Sequence, residues 1–316
     1  MFELVDSWVW DNWVVTDSQG LYHAFFLFAS RALGDESRRH RHASVGHATS
    51  PDLRVWTRVE DALVRSEAPA IDDVATWTGS VVPLRDGTWR MFYTALSDTP
   101  TEKTQVVTWA DSADLLHWSK SGRVAARASD EFYATAATTG IEPFRDPWIV
   151  RGDGGEWHMF VAASSRTPTD HDHGVVGHAV SDDLTTWRAI EPSSVDETGF
   201  GEIEVPSVFS YKGEFYLLFS CLRGRMTPSR RAQSPSGGIW IAPAAGPHGP
   251  FDLDGALPLT SEELYAGHVV TTPEGELVLL AFENVVDGAF VGRMADPVPL
   301  GPLMERAKSG ETRRVE

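Results

Sequence analysis

The sequence predicts an all-β fold, a single-domain five-bladed β-propeller, and three observations predict it. A turn glycine followed by an apolar strand recurs five times along the chain. A Ser-x-Asp-Leu-x-x-Trp segment recurs three times behind that strand. No stretch longer than a turn or two shows the apolar period of a helix. Five units of about four short strands each are typical of a β-propeller.

The turn glycines mark the first hairpin of each unit. They are spaced 67, 68, 58 and 62 residues apart, at Gly20, Gly87, Gly155, Gly213 and Gly275. Each is followed by an aromatic or aliphatic run, which predicts the second strand of a hairpin entered through a glycine turn.

The Ser-x-Asp-Leu-x-x-Trp segments follow a predicted third strand in the first three units. They span Ser50–Trp56, Ser112–Trp118 and Ser181–Trp187. Side-chain oxygens of Ser and Asp can satisfy backbone N–H groups in such a stretch. We therefore expect a capped turn that leads to an outer strand.

The propeller is expected to cover residues 1–304, with a polar tail over residues 305–316 that frays. Irregular insertions are expected at Gly34–His42, which is rich in Arg and His, at Arg166–His173 and at Arg223–Gly238. Within the second insertion, Asp170-His171-Asp172-His173 resembles a metal cluster, but a solvated turn is the favoured interpretation.

The amino-acid composition excludes several classes of binding partner and cofactor site. The 316 residues include 27 Lys and Arg against 45 Asp and Glu, a net charge of −18, which argues against a phosphate-binding surface for nucleic acid. The one cysteine, Cys221, excludes an internal disulfide and a multi-cysteine zinc site, and is expected to be buried. There is no membrane-spanning apolar run and no signal-peptide pattern, so we expect a cytoplasmic protein, or a secreted one if a signal peptide has been removed. The sequence does not predict the oligomeric state.

Three carboxylates share one position in their units. Asp11, Asp146 and Glu204 each lie nine residues before a turn glycine, where the other two units have Thr78 and Ala266. The first strands of a propeller line its centre, so these acids are expected to meet there. Clustered carboxylates repel one another, a cost that structure alone would not favour.

Such a cluster suits either a divalent metal site or glycoside hydrolysis. A retaining glycosidase needs a nucleophilic carboxylate and a protonated acid about 5–5.5 Å apart. A third carboxylate can stabilise the positive charge of the transition state. Trp8, Trp10, Trp13 and Trp77 could stack on sugar faces, although at least half of them are expected to pack in the core.

Five motifs carry a family resemblance. They are Trp10-Asp11-Asn12-Trp13, Trp77-Thr78-Gly79-Ser80, Phe144-Arg145-Asp146-Pro147, Glu202-Ile203-Glu204 and Leu222-Arg223-Gly224. In this order they resemble glycoside hydrolase family sixty-eight, which contains levansucrases, inulosucrases and bacterial invertases. The Arg-Asp-Pro tripeptide is shared with the family thirty-two invertases.

The resemblance implies a role for each residue. Asp11 would be the nucleophile, Asp146 the transition-state stabiliser and Glu204 the general acid/base. Trp10, Trp77 and Ser80 would line the fructosyl pocket. A further set would contact the sugar on the leaving-group or acceptor side: Arg145, Glu202 and Arg223. His268, which opens the fifth inner strand, is a further candidate for the central channel, with a structural role equally open.

The resemblance also implies a small carbohydrate donor, sucrose or a short fructo-oligosaccharide, and no cofactor. Gly201 stands where many members carry an Asp that helps to bind calcium, so no metal is expected. Val205 and Val14 also depart from the family pattern. Two alternatives stay open. One is an inverting furanosidase of the arabinanase type, with its carboxylates about 6.5–9.5 Å apart, and the other is a non-catalytic sugar-binding propeller.

Overall fold

The computed structural model describes residues 1–98, 103–167, 172–195 and 197–310, and strands dominate it. Consecutive strands group in fours, which we name units one to five. Unit one comprises β1 (Ser7–Thr16), β2 (Tyr22–Ser30), β3 (Ser44–Ser50) and β4 (Thr57–Arg58). Unit two comprises β5 (Ala75–Pro83), β6 (Trp89–Asp98), β7 (Lys103–Ser112) and β8 (Ser119–Lys120). Unit three comprises β9 (Ile141–Arg151), β10 (Trp157–Ser164), β11 (Gly174–Ser181) and β12 (Arg188–Ile190). Unit four comprises β13 (Glu204–Tyr211), β14 (Glu214–Cys221), β15 (Gly238–Ala244) and β16 (Leu257–Pro258). Unit five comprises β17 (Leu264–Thr271), β18 (Leu277–Val286), β19 (Ala289–Met294) and β20 (Val298–Pro299).

Strand pairing within each unit is antiparallel, and the units surround a common centre. The first strands contact one another in cyclic order: β1 contacts β5, β5 contacts β9, β9 contacts β13, β13 contacts β17, and β17 contacts β1. Units two and three also share a parallel pairing of β7 with β9. The first strands therefore form a closed ring.

The predicted hairpins and capped turns are confirmed. All five turn glycines lie between a first and a second strand and have positive φ, between 83° and 96°, a conformation that favours glycine. In the Ser-x-Asp-Leu segment of unit one, Asp52 Oδ1 accepts hydrogen bonds from the N–H groups of Arg54 and Val55 at 2.9 and 2.8 Å. The buried Leu53 takes the left-handed conformation. Asp114 and Asp183 form the same turn in units two and three.

Every first strand carries a β-bulge, one extra residue that bends the strand at the centre of the ring. The pairing register shifts at this point in all five units. The bulge residues are Asp11, Thr78, Asp146, Val205 and Ala266, and all except Thr78 have positive φ.

Unit four shows that Glu204 is not equivalent to Asp11, as the prediction from spacing assumed. Its bulge residue is Val205, and Glu204 lies one position earlier. The cause is the turn after β13. Lys212 and Gly213 form a two-residue hairpin turn with φ of 51° and 83°, whereas five residues separate the paired strand ends of the other units.

The tryptophans of the first strand contribute to the core as expected. Trp8, Trp10 and Trp13 are 7%, 2% and 1% exposed and belong to one cluster that packs unit one against units two and five. Cys221 is fully buried, as predicted.

Three short α-helices depart from the all-strand prediction: α1 (Ala136–Thr139), α2 (Pro228–Gln233) and α3 (Leu300–Ser309). The predicted polar tail is helical up to Ser309, because Leu300, Leu303, Met304 and Ala307 form an apolar face that is buried. Residues 311–316 lie outside the described residues. No helix in the described part of the chain is long and apolar enough to cross a membrane.

The three predicted insertions differ in their outcome. Residues Gly34–His42 contain a 3₁₀ helix over Glu36–His42. Residues Arg223–Gly238 contain a short 3₁₀ turn and α2. In the insertion at Arg166–His173, Asp170 and His171 of the expected solvated turn lie outside the described residues.

Candidate active site

A cavity of about 350 Å³ lies at the centre of the ring, where the bulge residues of units one to four line it. All three predicted catalytic acids line it, together with four of the seven predicted binding residues: Trp10, Trp77, Arg145 and Glu202. The remaining lining residues are Leu27, Arg39, His40, Thr78, Gln105, Val205, Leu222, Arg225, Tyr265, Phe282 and Asn284.

Asp11 lies at the bulge of β1 and is held by unit two. The Thr78 hydroxyl donates a 2.6 Å hydrogen bond to Asp11 Oδ2. Burial raises the pKa of Asp11 to about 6, with a further contribution from the negative charge of Glu204, against the hydrogen bond from Thr78. Asp11 is therefore ionised only above mildly acidic pH.

Asp146 lies at the bulge of β9 and is 6% exposed. Its backbone N–H donates to Thr94 Oγ1 at 2.8 Å, and its Oδ2 accepts from the N–H of Val205 at 3.2 Å. Burial raises the pKa of Asp146 to about 7, although the adjacent Arg145 lowers it. Two carboxyl groups with raised pKa values thus face one cavity, which is a common property of functional sites.

Glu204 is held from both sides. Its Oε1 accepts a 3.1 Å hydrogen bond from Arg145 Nη2, and its Oε2 accepts a 2.5 Å hydrogen bond from the Tyr265 hydroxyl. The one-residue shift in unit four places Glu204 at the pre-bulge position, which Arg145 and Tyr265 occupy in units three and five. Because of this shift, Glu204 occupies the same position in its strand as Arg145 and Tyr265, the two residues that contact it.

Arg145 connects the acids on one side of the cavity. Its guanidinium lies 3.6 Å from Asp146 and 3.7 Å from Glu202, and it also donates to Gln105 Oε1 at 3.3 Å. Burial alone would lower the pKa of Arg145, but the carboxylates of Glu202, Glu204 and Asp146 raise it, so it stays charged. Burial, followed by the charge of Glu204, raises the pKa of Glu202.

Three predicted binding residues do not line the cavity. Ser80 is buried two residues beyond Thr78, below the cavity wall. His268 is buried and stacks on Trp148 with ring centres 5.5 Å apart. Arg223 is exposed, and its Nε donates to the carbonyl of Pro235 at 3.0 Å, so it anchors its own loop.

Arg225 takes the place that was predicted for Arg223. It lines the cavity, and its Nε lies 3.6 Å from Glu202 Oε2. The 3₁₀ turn Arg223–Arg225 turns the first arginine toward the loop and the second toward the cavity.

Sequence reasoning also missed Arg39, His40, Gln105, Tyr265 and Asn284. Arg39 and His40 had a signal, since the insertion that contains them is rich in Arg and His. Tyr265 had one as well, because it immediately precedes Ala266, the fifth residue of the spacing pattern. Gln105 and Asn284 are single polar residues within strands, and nothing in the sequence marks them.

The ring of antiparallel sheets brings three carboxyl groups to one central cavity, an arrangement that glycoside hydrolases use. The sequence profile described as the glycosyl hydrolases family 32 N-terminal domain matches residues 4–287. The chain therefore belongs to glycosyl hydrolase family 32.

Two curated relatives are an insoluble β-fructofuranosidase isoenzyme of Arabidopsis thaliana and a fructan 1-exohydrolase of Hordeum vulgare. The first is 28% identical over 214 residues, which cover 66% of this chain and 36% of the relative. The second is 26% identical over 217 residues, which cover 66% and 33%. The chain thus spans about a third of the length of these relatives.

Solved structures share the fold at lower identity. The inulosucrase of Halalkalicoccus jeotgali has a TM-score of 0.72 at 20% identity, over 91% of this chain and 79% of that one. The levansucrase of Gluconacetobacter diazotrophicus has a TM-score of 0.74 at 17% identity, over 95% and 79%. The likeness to an inulosucrase and a levansucrase, which the motifs indicated, is therefore a likeness of fold.

Proposed function

We propose that the five units are the blades of a single-domain five-bladed β-propeller, and that the protein is a retaining β-fructofuranosidase. The donor is sucrose or a short fructo-oligosaccharide, and water is the usual acceptor. One observation carries the proposal: Asp11, Asp146 and Glu204 come from three different units and line one cavity.

In the first step, the Asp11 carboxylate attacks the anomeric carbon of the fructosyl unit, and Glu204 gives its proton to the departing oxygen. The glycosidic bond breaks, and a fructosyl ester forms on Asp11. In the second step, Glu204 takes a proton from water, which attacks the same carbon. The ester bond breaks, fructose leaves, and Asp11 is again a carboxylate.

The contacts of each acid suit these roles. Thr78 donates to Asp11 Oδ2, which fixes the nucleophile. Arg145 and Tyr265 each hold one oxygen of Glu204, so its position is set while its proton moves. Asp146 touches Arg145 and the N–H of Val205, and its negative charge would stabilise the positively charged transition state.

The leaving-group side is assigned to Arg145, Glu202 and Arg225. Glu202 lies between the two guanidinium groups, 3.7 Å from Arg145 and 3.6 Å from Arg225. Arg offers fixed donors and Glu offers acceptors, which together can bind the hydroxyls of a second sugar. Arg225 replaces Arg223 in this assignment.

The test is to incubate the protein separately with sucrose, raffinose and inulin, and to measure free glucose, free fructose and oligomers. Reactions in dilute methanol add the stereochemical outcome, because a retaining enzyme yields the methyl β-fructofuranoside. Asp11→Asn and Glu204→Gln serve as inactive controls. Azide should restore turnover of Glu204→Ala on an activated donor.

Three outcomes would contradict the proposal. Formation of the α-configured methyl glycoside would indicate an inverting enzyme. Cleavage of an arabinofuranosyl donor but of no fructoside would favour the arabinanase-type alternative. Calorimetric binding of sugars without any turnover would favour a non-catalytic sugar-binding propeller.

A further inference from the structure

Arg39 is the cavity-lining cation that the proposed mechanism leaves without a role. Arg145 lies within 4.0 Å of Asp146, Glu202 and Glu204, and Arg225 lies within that distance of Glu202. Among the described residues no carboxylate lies within 4.0 Å of the Arg39 guanidinium, although it lines the same cavity as Asp11. Its charge is therefore not neutralised by a contact ion pair.

The Arg39 guanidinium is fixed before any substrate arrives. Its central carbon lies 4.0 Å from the ring centre of Phe290 and 5.4 Å from that of Trp10. Its Nη1 donates to the carbonyl of Glu36 at 2.9 Å, which closes a turn of the same 3₁₀ helix. Stacking on two aromatic faces suits the planar guanidinium.

The surrounding helix is tied to unit two by the two residues that follow Arg39. Trp77 Nε1 donates to the carbonyl of His40 at 2.6 Å, and Arg41 pairs with Asp98 at 2.7 Å. The insertion is therefore anchored across the first two units, and Arg39 keeps one place relative to Asp11 and Thr78.

We propose that Arg39 is a positioning residue that holds Asp11 in its ionised form, so that the Arg- and His-rich insertion sets the acid limit of the reaction. This inference rests on the proposed function, in which Asp11 must be a carboxylate to attack. A cation that does not touch Asp11 can act in this way, because charges near a buried carboxylate interact more strongly than they do in bulk water.

The other charged groups around Arg39 and Asp11 do not account for the ionisation of Asp11. Glu204 faces Asp11 and opposes its ionisation, as does Asp146. Arg145 favours ionisation but is shared among three other carboxylates. Around Arg39 the charged and titratable neighbours are Asp11, Glu204, Glu36 and His40. The charge of Arg39 lowers the pKa of Asp11, against the larger effect of burial.

The test compares the pH profile of kcat/KM on sucrose for the wild type and four variants. Arg39→Gln removes the charge, and Arg39→Lys keeps it. Arg38→Gln removes the same charge from a neighbouring exposed residue that does not line the cavity. Phe290→Leu removes the ring beneath Arg39 and leaves its charge.

In Arg39→Gln we expect the acid limb of the profile to move to higher pH by about one unit, because a carboxylate that loses a nearby cation binds its proton more tightly. Arg39→Lys should restore most of the shift, and Arg38→Gln should match the wild type. Phe290→Leu should give a smaller shift in the same direction, and it tests the proposal even if Arg39→Gln fails to fold.

Coincident acid limbs for Arg39→Gln and Arg38→Gln would overturn the inference. Equal losses of kcat/KM at every pH for Arg39→Gln and Arg39→Lys would also overturn it, since such losses indicate that Arg39 serves in packing or in substrate binding. A failure of the proposed function is distinct, because the wild type would then not hydrolyse sucrose, or Asp11→Asn would remain active. If Asp11→Asn is inactive and only the Arg39 shift is missing, the inference alone fails.

Discussion

The first strands of units one and five carry the same bulge but place different groups there. Asp11 and Ala266 have φ of 34° and 47°, and each lies nine residues before its turn glycine. Ala266 is fully buried and donates its N–H to Ser220 Oγ at 2.9 Å, whereas the Asp11 carboxylate faces the cavity and accepts from Thr78. The bulge therefore needs no acid. Burial raises the pKa of Asp11 to about 6, so unit one carries a cost in stability that the bulge itself does not require.

The largest effect is expected when unit one is made like unit five. Asp11→Ala should lower kcat/KM on sucrose by about 10⁴-fold or more, the loss seen when a nucleophile is removed. The fold should persist, because unit five already has alanine at this bulge. Near-ultraviolet circular dichroism serves as the folding control. Turnover at the wild-type rate would contradict the assignment of Asp11.

Asp11→Ala should also change how the free energy of unfolding depends on pH, which tests the difference between units one and five a second time. The pKa of Asp11 is about 6 in the folded protein and 3.8 in the unfolded chain. Because the folded state binds this proton more tightly, protonation of Asp11 stabilises the fold at low pH. That stabilisation disappears as pH rises from 4 to 6. Relative to wild type, Asp11→Ala should gain about 2 kcal/mol in free energy of unfolding between pH 4 and 7. Urea denaturation at both pH values measures this, and a difference independent of pH would argue against a raised pKa.

A smaller effect should separate two arginines of unit four. Arg225→Ala removes a cavity group next to Glu202. It should raise KM for sucrose about 10-fold, since the proposed hydrogen bond from the charged guanidinium to a sugar hydroxyl is lost. Arg223→Ala removes a loop anchor and should change KM little while lowering the melting temperature. An activated donor with a small leaving group should be insensitive to both changes. The reverse ranking on sucrose would restore Arg223 to the leaving-group side.

The smallest effect should come from a chelator. The three cavity acids are assigned to catalysis in the proposed mechanism, and Gly201, which precedes Glu202, has no side-chain oxygen to offer as a calcium ligand. Activity and melting temperature should both stay constant when EDTA is added. Loss of either one, with recovery on adding calcium, would show that the acids also serve a metal.

Much of the fold could be predicted because the turns that separate its strands are determined by local sequence. Turn glycines with positive φ and Asp-capped turns depend on a few adjacent residues, so they can be read directly from the sequence. The same spacing located Asp11 and Asp146 at their bulges. It misplaced Glu204 by one position, because the Lys212-Gly213 turn is shorter than the others. Turn length depends on backbone conformation, which the glycine alone does not fix.

The binding residues were harder to predict because they lie in insertions or depend on which way a side chain faces. Nothing in Leu222-Arg223-Gly224-Arg225 tells which arginine faces the cavity, since a 3₁₀ turn decides it. His268 follows the fifth bulge but stacks on Trp148, and Ser80 lies below the wall. These outcomes depend on contacts between units that are distant in the chain.

Those contacts between units have a consequence for how the chain acquires activity during synthesis. Thr94 of unit two receives the Asp146 N–H of unit three, and Ser220 of unit four receives the Ala266 N–H of unit five. Tyr265, whose hydroxyl donates to Glu204, is synthesised 254 residues after Asp11. A nascent chain therefore carries the proposed nucleophile from the start but lacks the complete cavity until β17 docks beside β1. A chain truncated before unit five has every catalytic acid and should still be inert.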